Sequence, residues 1–226
     1  MLIYGHRGAS GRLPENTLAA FLGAIDDGAD GVEFDVRATA DGVPVLLHDR
    51  DLERTTDGSG PIDAISAEDL SHVRTRGGEP VPPLAEVLVA VGDRLRLNAE
   101  LKQPGIEGTV LAALRSHAQP GSFVSSFDWD SLREARRLDP AAPIWPLAEV
   151  CDDALLAVAA ELGSPGVSLA AAAFDRFAAD RLRQAGLAVG VWTVNDPGEA
   201  FRVRDLGAAI VMTDQPAAIR RALGAG

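Results

Sequence analysis

The sequence contains one cysteine, Cys151, so no intramolecular disulfide can brace the fold. A lone thiol agrees with a reducing compartment, and Cys151 reads as a packing residue rather than a reactive one. No apolar run approaches the roughly 20 residues that a membrane-spanning helix requires, so stable membrane insertion is not expected. The amino terminus also lacks the marks of an export signal. Met1-Leu2-Ile3-Tyr4 runs directly into Gly5-His6-Arg7-Gly8, with neither a basic region nor an apolar stretch before it, and a soluble, cytoplasmic protein is the expectation. Basic residues are scarce: 21 Lys plus Arg stand against 33 Asp plus Glu, a net charge of -12 that argues against a nucleic-acid partner. The same field repels an anionic small molecule unless its site concentrates positive charge, which a bound cation can do. No internal repeat or low-complexity segment stands out in the 226 residues.

Regular alternation is what the sequence does show. Short β-type runs near 2–5, 31–37, 95–101, 123–127, 143–147, 166–169, 188–194 and 209–213 alternate with amphipathic helical segments. The helices are expected near 16–27, 83–91, 107–117, 129–138, 152–162, 175–185, 197–206 and 215–223. Asp128, Asp175 and Asp196 stand where N-caps belong, while Gly28, Gly163, Gly186 and Gly207 stand where helices should stop. Parallel strands joined by helical crossovers follow from this order, and eight units in one short chain favour closure into a (β/α)8 TIM barrel. The pattern breaks once, after a short strand at Pro44 to Leu47. A polar stretch, about 49–81, then reads as an insertion within one domain spanning 1–226.

Side-chain alternation within two strands points to the chemistry. In Gly31-Val32-Glu33-Phe34-Asp35-Val36-Arg37 the apolar residues share one face, leaving Glu33, Asp35 and Arg37 on the other. In Leu95 to Lys102 the leucines alternate with Arg96, Asn98, Glu100 and Lys102. With the apolar faces against the helices, Glu33, Asp35 and Glu100 converge inside the barrel near the carboxyl ends of its strands, where such barrels carry their active sites. Buried carboxylates need partners. Three oxygen donors suit one hard divalent cation, Mg2+ or Ca2+; an ion network with Arg37, Lys102 and Arg96 is the alternative. His6 and His48 end strands in the same region and offer an acid and a base, although packing at a strand end would also explain them. His72 falls in the insertion and His117 at a helix end, where solvated or capping roles are expected.

The order and spacing of several motifs resemble those of glycerophosphodiester phosphodiesterases. They are His6-Arg7-Gly8-Ala9-Ser10, Pro14-Glu15-Asn16-Thr17, Val32-Glu33-Phe34-Asp35-Val36, His48-Asp49, Arg54-Thr55-Thr56-Asp57-Gly58 and Glu100-Leu101-Lys102. Ser125-Ser126-Phe127-Asp128, Val191-Trp192-Thr193-Val194-Asn195 and Met212-Thr213-Asp214 continue the series, so the resemblance spans nearly the whole chain. It implies a TIM barrel with an insertion after the second strand. It also implies His6 and His48 as the catalytic acid/base pair, and Glu33, Asp35 and Glu100 as ligands of one divalent cation. Arg7 and Lys102 would hold the phosphate and Trp192 would form an apolar wall. The implied reaction hydrolyses a glycerophosphodiester to glycerol 3-phosphate and an alcohol. Lysophospholipase D-type activity and noncatalytic binding of phosphate esters are the alternatives.

Overall fold

The computed structural model describes residues 1–117 and 119–224, with the side chain of His117 outside the described set. Its strands are β1 (Leu2–His6), β2 (Gly31–Ala38), β3 (Pro44–Leu46), β4 (Arg96–Leu101), β5 (Phe123–Ser126), β6 (Ile144–Ala148), β7 (Gly166–Ala170), β8 (Ala188–Trp192) and β9 (Ile210–Thr213). All except β3 are parallel, and β9 pairs with β1 while β1 pairs with β2. That pairing closes the expected eight-stranded (β/α)8 barrel. The antiparallel β3 lies on β2, with Arg37 opposite Val45.

The helices are α1 (Leu18–Asp26), α2 (Ala67–Leu70), α3 (Leu84–Val91), α4 (Glu107–His117), α5 (Trp129–Leu138), α6 (Asp153–Glu161), α7 (Arg176–Gln184), α8 (Pro197–Asp205) and α9 (Pro216–Leu223). Asp128, Asp175 and Asp196 cap α5, α7 and α8 by accepting from backbone amides in the first turn. The short α2 lies between residues 49 and 81, together with one 3-10 turn at Ile62–Ala64. Its own small core gathers Leu52, Ile62, Leu70 and Val81 beneath Val45 and Leu47.

The period-two pattern of β2 divides the barrel as its chemistry requires. Val32, Phe34 and Val36 are buried among the helices, and Phe34 meets Phe21 of α1 edge-to-face at 5.9 Å. Inside, Tyr4, Phe123, Trp145, Ile210 and Met212 form a second apolar cluster, with Phe123 and Trp145 stacked at 4.4 Å. Strand glycines make room for these rings. A Cβ on Gly31 would lie 2.6 Å from the Tyr4 ring, and one on Gly166 would lie 2.6 Å from Trp145. This aromatic plug fills the barrel beneath the polar residues at the carboxyl ends of the strands.

Candidate active site

Glu33 and Asp35 on β2 and Glu100 on β4 are buried, and one oxygen from each lies within 4.8 Å of the others. The register explains the convergence, because β2 and β4 are neighbours with Asp35 paired to Glu100. Two buried oxygens, Glu33 Oε1 and Asp35 Oδ1, accept no hydrogen bond. Unsatisfied acceptors on converging carboxylates are the donor set a hard divalent cation takes. The cluster can therefore hold a metal ion.

Cationic side chains bear on the same acids, so the two readings of these carboxylates meet in one site. Lys102, the only lysine in the chain, places Nζ 2.7 Å from Glu100 and 3.5 Å from Asp35. Arg7 places Nε 3.2 Å from Asp35 and donates from Nη1 to Glu15 at 2.8 Å. The other two expected cations do not pair with the acids. Arg37 donates to backbone carbonyls, and Arg96 opens β4 at the far end of the strand.

Burial and these neighbours push the pKa values of Glu33 and Asp35 in opposite directions. Desolvation raises the Glu33 pKa, and the charges of Asp35 and Glu100 add to it. Asp35 also suffers desolvation, but Arg7 and Lys102 outweigh it and hold its pKa below the ordinary value. Asn16, in the left-handed region at φ 56°, donates to Asp35 at 2.8 Å and accepts from the Asp35 amide.

Both histidines flank the acids, and each is held by an aspartate. His6 Nδ1 lies 2.7 Å from Asp214 Oδ1, and its Nε2 lies 3.9 Å from Glu33. His48 Nδ1 lies 2.6 Å from Asp49 Oδ1. Burial opposes the charged form of His6, yet the Asp214 hydrogen bond and the Glu33 charge raise its pKa overall. Burial of His48 outweighs Asp35 and Asp49, and its pKa falls. A pocket collects these groups: His6, Arg7, Glu33, His48, Glu100 and Lys102 line one part, and Phe127, Leu147, Trp192 and Met212 supply apolar surface. Phe127 is exposed and meets Trp192 edge-to-face at 5.5 Å. A roomier groove beside Leu114, Phe123 and Pro143 has no convergent acids and lies where loops enter the strands.

The local sequence pattern does not show which residues hold the two histidines. Asp214 also accepts from Ser10 and from Asn195, whose Oδ1 in turn accepts from the Asp214 amide. In the insertion, Arg54 grips Asp49 and forks onto both oxygens of Glu15 at 2.8 and 2.9 Å. Arg7, Glu15, Arg54, Asp49 and His48 thus form one chain of contacts. Motif membership was the only sequence signal for Asp214, Asp49 and Arg54, since nothing local joins them to their partners. His72 is exposed in the insertion.

The profile of the glycerophosphoryl diester phosphodiesterase family matches residues 6–218. The chain belongs to this family. A glycerophosphodiester phosphodiesterase of Caldanaerobacter subterraneus is 36% identical over 153 residues, a match spanning 62% of this chain and 63% of that protein. One from Bacillus subtilis is 29% identical over 96% of this chain and 84% of its own length. Among solved structures, an Oleispira antarctica phosphodiesterase in complex with its product sn-glycerol-3-phosphate superimposes with a TM-score of 0.92. Identity to it is 29%, covering 100% of this chain and 97% of that one. A Thermotoga maritima glycerophosphodiester phosphodiesterase gives 0.85 at 28% identity, covering 98% and 97%. Among the described residues no helix is long and apolar enough to cross a membrane.

Proposed function

We propose that this phosphodiesterase hydrolyses glycerophosphodiesters to glycerol 3-phosphate and an alcohol, using one divalent cation, Mg2+ or Ca2+, and the His6/His48 pair. The observation that carries this reading is the three-carboxylate cluster within 4.8 Å, two of whose members, Glu33 and Glu100, line one pocket with two aspartate-held imidazoles. Glu33, Asp35 and Glu100 would hold the cation. When bound, it supplies Lewis-acid charge for a nonbridging phosphate oxygen and a template for the glycerol hydroxyls. The product held by the Oleispira relative supports a substrate with a glycerol phosphate half.

The chain's own residues do the rest. Arg7 and Lys102 present fixed positive charge where negative charge accumulates on the phosphoryl oxygens, within a protein of net charge -12 that would otherwise repel the ester. One imidazole takes a proton from the nucleophile and the other gives one to the departing alcohol. Asp214 and Asp49 hold the two rings at Nδ1, leaving Nε2 for the reaction. Phe127, Leu147 and Trp192 provide the apolar wall. The domain is taken as 1–226, with 49–81 contributing through Asp49 and Arg54.

Replacing His48 tests the assignment. His48→Ala should bind the cation as the parent does while losing at least about 10²-fold in kcat on glycerophosphocholine. Parental turnover would remove His48 from the machinery. The exposed Phe127 beside Trp192 supports a second reading, in which a lysophospholipid is the substrate. Turnover of glycerophosphocholine against lysophosphatidylcholine separates the two.

A further inference from the structure

Arg37 continues the inward face of β2 beyond Glu33 and Asp35, yet it does not serve the acids. Among the described residues no carboxylate forms an ion pair with its guanidinium, which is half-buried and whose pKa is lowered by desolvation. Its Nε donates to the His48 carbonyl at 2.9 Å, and its Nη1 donates to the Lys102 carbonyl at 3.3 Å. Both acceptors belong to residues just beyond strand ends: β3 ends at Leu46 and β4 at Leu101. Ladder bonds stop there, since the last ties are Leu47 N to Asp35 O and Lys102 N to Val36 O. A half-buried cation costs free energy to desolvate, and charge-assisted bonds to two carbonyls offset that cost only with both acceptors in place. The planar fork of arginine suits two acceptors at a fixed separation.

We propose that Arg37 is a positioning residue that sets the spacing of His48 and Lys102 by holding their two backbone carbonyls on one guanidinium. It clamps the root of the insertion to the end of β4. The consequence for catalysis rests on the roles given above to His48 and Lys102; the clamp itself does not.

The test combines histidine NMR with kinetics on the full chain. In 15N-histidine-labelled protein, the His48 resonances are assigned by their loss in His48→Ala. Arg37→Gln should shift or broaden the His48 signals while leaving those of His6 in place. kcat for glycerophosphocholine should fall at least about tenfold, with the melting temperature within a few degrees of the parent. Arg37→Lys keeps the charge without the planar fork and should show a smaller loss of the same kind. It also carries the test if Arg37→Gln does not fold. Unchanged His48 resonances in a folded variant overturn the clamp. Perturbed resonances with parental kcat overturn its catalytic consequence. A parent protein without phosphodiesterase activity would overturn the functional reading instead, while the NMR comparison still decides the clamp.

Discussion

His6, the last residue of β1, and Asp214, the first after β9, are 208 positions apart in sequence and 2.7 Å apart at Nδ1 and Oδ1. Asp214 is held ionised despite partial burial, by hydrogen bonds from His6 and Asn195 that bring its pKa down to about 2. An ionised carboxylate can only accept, so the Nδ1 of His6 carries the proton and Nε2 faces the acids. Closure of the barrel, which pairs β9 with β1, is what brings the two together.

Asp214→Asn should therefore lower kcat/KM by about 10²-fold, because a neutral amide oxygen is a weaker acceptor for Nδ1–H and the ring loses a charge that favours its protonated form. Since Asp214 raises the His6 pKa, its removal moves the His6 limb of the pH–rate profile to lower pH. A full pH–rate profile of the variant checks both; a profile superimposable on the parent's would refute the assignment.

Glu33 makes cation binding depend on pH. Its raised pKa means that the metal-free site takes up a proton as pH falls, and a cation must displace it. Affinity should rise as pH increases through the Glu33 value, with proton release visible as buffer-dependent heat in calorimetry. Without metal, a carboxyl whose folded pKa lies above its unfolded one contributes stability at low pH that is lost as pH rises through the folded value. Added cation should reverse that loss in a thermal melt. Glu33→Gln should weaken binding and flatten its pH dependence, leaving the part due to Glu100, whose pKa burial also raises.

Arg54 sits outside the pocket but touches the partners of two of its residues, Asp49 beside His48 and Glu15 beside Arg7. Arg54 is exposed although Glu15 and Asp49 are half-buried, so Arg54→Ala should cost about 1 kcal/mol of stability. Turnover should drop by more than that cost implies, about tenfold, because two site residues lose their bracing. Parallel measurement of melting temperature and kcat separates the two effects.

The barrel and its acids were legible from the sequence, and the bracing was not. Alternation in Gly31–Arg37 and Leu95–Lys102 reports which face a side chain takes, and parallel pairing of β2 with β4 makes those faces meet. Local pattern therefore sufficed for Glu33, Asp35 and Glu100. Arg37 has the same parity but turns to carbonyl oxygens, and no sequence marks which carbonyls lack a ladder partner. Asp214 depends on barrel closure and Arg54 on the packing of the insertion, both set by contacts remote in the chain. Strand β8 is expected to 194 but ends at Trp192, after which the chain turns so that Asn195 reaches Asp214.

The most direct test of the account is the release of glycerol 3-phosphate from glycerophosphocholine by chelator-treated protein, measured as Mg2+ or Ca2+ is added back. The three-carboxylate site requires turnover to vanish on chelation and to return with one equivalent of bound cation. Undiminished hydrolysis in excess chelator would contradict it.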